Sequence, residues 1–389
     1  MIKNAWNRKI NVTCLLTDTV AGINSKFRGY RHIKDGFHSE HTISCMQKLI
    51  TLSLAIICLS LVFTTIATAN AITGEPIKLG LNVWVTNFLP FIAQEKGFFE
   101  KNNVNVQLTL VPDYLKMIDG YYSGQFDGIM GVYADVIFQH SQGIDSKVVF
   151  AVDYSDTADV IVGKQNGNKT NVNFTNNSLA EVQGKKIGVQ GINSFSHLFI
   201  LKALEKAGLN EGDVEFVDVP AQNVTRALEK GEIIAGHTYE PYTSEALKKG
   251  YKVLFTAGSI PGIINTVLAF RSNVVEQRPQ DIQAIVNSLV EAESYYASNR
   301  ADALKIMSLK SGISENDIVA GFDGIRILSL SDNINTAMNS KSNDTASLYV
   351  TGNEISNFFV NRGQISDLPD IAKIIDPVFA EVLFKSDER

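Results

Sequence analysis

The stretch Asn87-Phe-Leu-Pro-Phe-Ile-Ala-Gln-Glu-Lys-Gly-Phe-Phe-Glu-Lys-Asn102 decides the fold. It lies just behind a strand-like run that ends in Trp84. Phe91, Ile92, Phe98 and Phe99 can share one helix face, with Gln94, Glu95 and Lys96 outside it. Gly97 interrupts that helix near its end. Val104-Asn-Val-Gln-Leu-Thr-Leu110 then alternates as a half-buried strand does. Patterning alone gives strand, helix, strand.

The same alternation continues in both directions from this stretch. Strand signals fall at 77–83, 104–111, 127–133, 147–153 and 160–164, with helical ones at 88–101, 116–123 and 135–141. The asparagine-rich run 165–178 reads as a surface loop. A second unit begins at Leu179, with strands predicted at 186–190, 214–219, 233–237 and 252–256 and helices at 196–207, 224–230 and 243–249. The run 264–270 reads as a return strand. Helical signals follow at 279–298, 300–308, 314–321, 354–362 and 369–382. Alternating strands and helices imply α/β layers with mostly parallel sheets. With 389 residues the chain suits two lobes rather than one core.

The wording "FIAQEKGFFEKNNVNVQL" closely resembles the opening of periplasmic solute-binding proteins that serve ABC importers of nitrate, sulfonates, taurine and thiamine-type pyrimidines. The resemblance runs from about residue 76 to 300 and more loosely beyond. It implies a type II periplasmic binding protein fold, a clamshell whose two lobes each carry a sheet flanked by helices. The expected division is 72–160 for the first part of lobe 1, 161–264 for lobe 2, and 265–389 for the return and the C-terminal helices. Hinges are expected near 160–165 and 258–265.

The N-terminus is consistent with export. Residues 46–71 carry Lys48, an apolar run from Leu49 and an Ala69-x-Ala71 pattern. That reads as a secretory signal peptide cut after Ala71 or Ala69, with an uncleaved anchor as the alternative. Residues 1–45 are polar and unlike a signal start. Translation from Met46 is the expectation, with 1–45 a start-site artefact. All three cysteines (Cys14, Cys45 and Cys58) precede the cut, so thiol chemistry and disulfides are not expected. Residues 1–71 hold eight Lys/Arg and three Asp/Glu of the chain's 35 and 41. Their removal leaves 27 basic and 38 acidic residues, a formal charge of −11, which disfavours nucleic acid and acidic membranes.

Ligands in open α/β lobes bind beyond the carboxyl ends of strands. Four segments fall there. Trp84 ends the first strand, with Thr86 or Asn87 placed to cap the next helix. Trp84 reads either as a wall for a small solute or as a core residue. Asn193 and Ser194 open a helix where free N–H groups suit an anion, although simple capping needs no ligand. The resemblance implies that this turn faces the cleft. Tyr239-Glu240-Pro-Tyr stands where the resembled family often has Trp-Glu-Pro-Tyr, and Glu240 reads as a contact for a ligand amine or as a hinge brace. Asp156 and Asp159 lie at the first crossing, facing the cleft or ordering the hinge. With Glu240 they would favour an amine-bearing ligand over bare nitrate. Tyr133, Ala134 and Arg271 are weaker candidates, and His197 is ambiguous.

No P-loop, nucleophile elbow or His-Glu-x-x-His motif occurs. No catalytic residue, metal ligand or cofactor is therefore assigned. The expected function is that of a solute-binding component in the periplasm, delivering a small polar solute to separate ABC permease and ATPase chains. The alternative is a periplasmic sensor that signals to another membrane partner. A monomer is the default for such receptors.

Overall fold

The computed structural model describes residues 74–164 and 179–387, all belonging to one compact unit, Ile72–Arg389. The expected 1–45 extension, the expected signal peptide over 46–71 and the expected loop over 165–178 lie outside the described residues.

The deciding stretch folds as a strand, a broken helix and a strand. β1 (Ile77–Leu81) is followed by a 3-10 turn (Val85–Phe88), α1 (Leu89–Glu95), α2 (Phe98–Lys101) and β2 (Val106–Leu110). Pro90 occupies the first turn of α1, where its missing N–H costs nothing. Gly97 separates the two helices at φ 72°, a left-handed conformation that an L side chain resists. Phe91, Ile92 and Phe99 are buried, as the helix face requires. α3 (Tyr114–Tyr122), β3 (Gly128–Val132), α4 (Tyr133–Ser141) and β4 (Ser146–Ser155) complete the first pass.

The chain then crosses to a second sheet. That sheet takes β5 (Val160–Gly163), β6 (Lys186–Val189), α5 (Phe195–Lys206), β7 (Glu215–Asp218), α6 (Val224–Lys230), β8 (Ala235–Thr238), α7 (Tyr242–Lys248) and β9 (Lys252–Thr256). β10 (Asn265–Arg271) returns to the first sheet, which β11 (Ile325–Ile327) extends at one edge. α8 (Pro279–Ser298) packs on α1, and α9 (Leu348–Asn361) packs on α4.

The strand orders are β11-β4-β10-β3-β1-β2 and β7-β6-β8-β5-β9. β1 pairs in parallel with β2 and β3, whereas β10 runs against both β3 and β4. β1 to β4 therefore share one direction, and only β10 and β11 oppose them. In the second sheet only β5 is reversed. In each sheet, a strand that enters from the other lobe is reversed and inserted between neighbours. The sheets are mostly parallel, as expected, and the two-lobed α/β fold stands.

The first crossing is Asp156–Asp159, slightly before the expected hinge, because the apolar Val160-Ile-Val run already pairs within the second sheet. The backbone N–H groups of Asp156, Thr157 and Ala158 all donate to the Gly324 carbonyl, at 3.0, 2.8 and 3.0 Å. The second crossing touches the first, with Ala257 N–H donating to the Asp159 carbonyl at 3.0 Å. β11 was not foreseen, since three residues carry no usable period. The expected helix 369–382 is split into Ile371–Ile374 and Val378–Asp387.

Candidate binding site between the lobes

A narrow cavity of about 20 Å³ lies where strands of both sheets end. Asn82 and Trp84 follow β1, Gly131 and Val132 close β3, and Thr266 enters on the reversed β10. From the second lobe, Phe195 opens α5 and Tyr239 follows β8. Tyr114 of α3 and the crossing residues Asp159 and Ile264 complete the lining. This is the position that α/β topology reserves for ligands.

The wall from lobe 1 is fixed from behind by Asp153, a fully buried carboxylate near the end of β4. It accepts hydrogen bonds from Trp84 Nε1 (3.2 and 3.3 Å to its two oxygens), Thr86 Oγ1 (2.5 Å) and Thr266 Oγ1 (3.1 Å). Burial pushes its carboxyl up to about 7, against the pull of those three donors. Asn87, also fully buried, donates to Asn82 Oδ1 (2.6 Å) and to the Met130 carbonyl (3.1 Å).

The wall from lobe 2 is built on the first turn of α5. Ser194 Oγ accepts the Ser196 N–H (3.1 Å) and donates to the Gln190 carbonyl (2.6 Å). The N–H of Phe195 donates instead to Asp135 Oδ1 of the opposite lobe, at 2.9 Å. Tyr114 Oη donates to the other oxygen of Asp135 at 2.7 Å. Burial raises the Asp135 carboxyl to about 6. The chain's own carboxylate thus stands at the helix N-terminus where an external anion was expected.

Behind this turn runs a buried polar relay. Gln190 N–H donates to Ser196 Oγ (3.0 Å), Ser196 Oγ meets His237 Nδ1 (2.9 Å), and His237 Nε2 meets Asp159 Oδ1 (2.9 Å). A neutral imidazole with its proton on Nε2 satisfies these contacts. Ser196 then donates to Nδ1 and the imidazole donates to Asp159. Asp159 is 1% exposed, and its Oδ2 has no hydrogen-bond partner.

Rings from the two lobes meet across the cavity. Trp84 and Tyr239 pack edge to face at 5.8 Å, and Tyr114 and Phe195 at 5.1 Å. Burial raises the Tyr239 phenol well above its usual range. Its hydroxyl makes no hydrogen bond of ordinary geometry, although Asn82 and Gln190 approach it.

Of the residues singled out in the sequence, Trp84, Asp159 and Tyr239 line this cavity. The others require correction. Thr86 and Asn87 are buried behind the wall, because each meets a buried polar partner there. The Ser194 hydroxyl is committed to capping. Asn193, at φ 69°, receives a hydrogen bond from Gln364 at the seam between the lobes. Tyr133 is fully buried against Gly352 of α9. Asp156 packs against Gly258 where the two crossings touch. Glu240 Oε2 accepts the Ser244 N–H (3.2 Å) at the start of α7, and the residue adjoins Asp317 rather than the cavity. Arg271 sits at the far end of β10, on the carbonyls of Tyr121 and Tyr122. His197 is 1% exposed and accepts the Asn193 N–H at 3.2 Å, a structural role.

Sequence reasoning missed Asp135 and Asp153. Both carry a signal: a lone carboxylate within an apolar run, which must find donors once buried. Asn82, Tyr114, Phe195 and Thr266 gave no comparable sign.

The model of the NMT1-like family matches residues 71–309, more than half of the chain. A putative aliphatic sulfonates-binding protein of Escherichia coli is 24% identical over 72% of this chain and 84% of its own length. The taurine-binding periplasmic protein of the same organism is 27% identical over 35% of this chain and 44% of its own length. The crystal structure of the periplasmic aliphatic sulphonate binding protein SsuA from Escherichia coli superposes with a TM-score of 0.62 at 20% identity, covering 78% of this chain and 98% of that one.

Proposed function

The chain belongs to the NMT1-like family, and from that premise we propose that it is the solute-binding component of an ABC importer. It captures a small polar solute between its lobes and presents the closed form to separate permease and ATPase chains. No bond is made or broken. The observation that carries this reading is the cavity lined by both lobes and both crossings. Hinge motion at Asp156–Asp159 and 257–264 would open and close such a site. The names of the relatives, aliphatic sulfonates and taurine, support a small organic solute. Export to the periplasm through the 46–71 segment belongs to the same reading.

A thermal-shift panel tests it. Nitrate, taurine, alkanesulfonates, aminopyrimidines and simple amines are each added to the purified protein. The expected result is a dose-dependent rise in Tm with one chemical class. A rise that survives replacement of Tyr239 by Ala would place the solute elsewhere and contradict the proposal.

A further inference from the structure

The cavity is lined by four aromatic rings and one carboxylate, Asp159, and, among the described residues, has no Lys or Arg in its lining. Four rings surround it, and ring faces attract cations. Three carboxylates serve it. Asp153 holds Trp84 and Thr266 from behind. Asp135 holds Tyr114 and the Phe195 N–H. Asp159 lines the space directly.

Asp159 is the decisive group. Its Oδ1 is taken by His237, whose other nitrogen is taken by Ser196. The imidazole engages only one of the two carboxylate oxygens. Oδ2 is buried without a partner, and leaving such an oxygen unpaired is costly. A ligand that donates an N–H to Oδ2 removes that cost. An anion there would meet Asp159 at close range and, through Phe195, find its helix N-terminus already filled by Asp135.

We infer that the cavity takes a small organic cation bearing at least one N–H group, its charge met by Asp159 and its body enclosed by Trp84, Tyr114, Phe195 and Tyr239. The inference rests on the reading of this cleft as a solute site. It departs from the sulfonates that the relatives' names record.

Matched isosteres test the charge directly on the unaltered protein. Butylammonium, butanol and butanesulfonate form one series; benzylammonium, benzyl alcohol and benzenesulfonate form another. Calorimetric titration should give the ammonium member at least tenfold tighter binding than the alcohol in at least one series, with the sulfonate weakest. Asp159→Asn should lose at least tenfold in ammonium affinity with an unchanged circular dichroism spectrum. Preference for a sulfonate or an alcohol would overturn the cation inference and leave the receptor reading standing. Silence from all six compounds would overturn the cation inference, and the thermal-shift panel would then decide the receptor reading.

Discussion

The two walls of the cleft are stabilised differently. The wall from lobe 1 is self-sufficient: Asp153, Trp84, Thr86 and Thr266 satisfy one another within a single lobe. The wall from lobe 2 is completed only by its neighbour, because the N–H of Phe195 finds its acceptor on Asp135 across the cleft. Further pairs join the lobes at the seam, Lys202 with Glu354 (2.8 Å) and Glu211 with Arg362, and both are at least partly exposed. One wall is therefore a fixed platform. The other takes its last contact across the cleft, so the hinge closure proposed above would couple closing energy to solute affinity through Asp135.

The largest expected effect falls on the platform. Asp153→Ala leaves three buried donors without an acceptor, and urea unfolding should register a loss of about 4 kcal/mol. Asp135→Ala should cost less in global stability, about 2 kcal/mol, but weaken solute binding, because its contact with the Phe195 N–H forms only when the lobes meet. Equal losses from the two variants would break the comparison.

The charge on Asp153 is separable by pH. Its folded pKa is raised, so the folded form holds the proton more tightly than the unfolded chain. The stability this gives is fully present below about pH 4 and is lost as pH rises through about 7. Relative to the wild type, Asp153→Asn should gain roughly 2 kcal/mol between pH 5 and pH 7. Taking the difference between the two proteins removes the opposite trend from His197, whose pKa burial lowers to about 4. A flat difference curve would show that Asp153 titrates normally.

Smaller effects come from the moving wall and its surroundings. Gly191 sits at φ 79°, and a Cβ there would approach Leu115 of the other lobe at 3.2 Å. Gly191→Val should destabilise by about 2 kcal/mol and also hinder closure. Glu240→Gln should change stability by less than about 0.5 kcal/mol and leave affinity unchanged, since Gln keeps an acceptor for the Ser244 N–H. A large loss of affinity would return Glu240 to the site.

The fold was legible because hydrophobic period and glycine placement are local. Gly97 broke its helix where expected, and the run Val160-Ile-Val formed a strand. Strand-end aromatics were legible for the same reason: Trp84 and Tyr239 lie where topology opens a cleft. The polar residues were not. Whether Thr86 or Asn87 turns toward solute or core depends on Asp153 and Asn82, and Asp153 is remote in sequence from Thr86. Ser194 lay at a helix start as read, but Asp135 had already taken the adjoining N–H from the other lobe. Such an exchange between lobes leaves no periodic trace in either segment.

Native mass spectrometry of the protein, purified from its natural source without refolding, tests the central claim most directly. The account predicts a small-molecule adduct that unfolding releases and that Tyr239→Ala abolishes. An adduct that persists in that variant, or a protein that is bare in every preparation and unresponsive to any added solute, would contradict it.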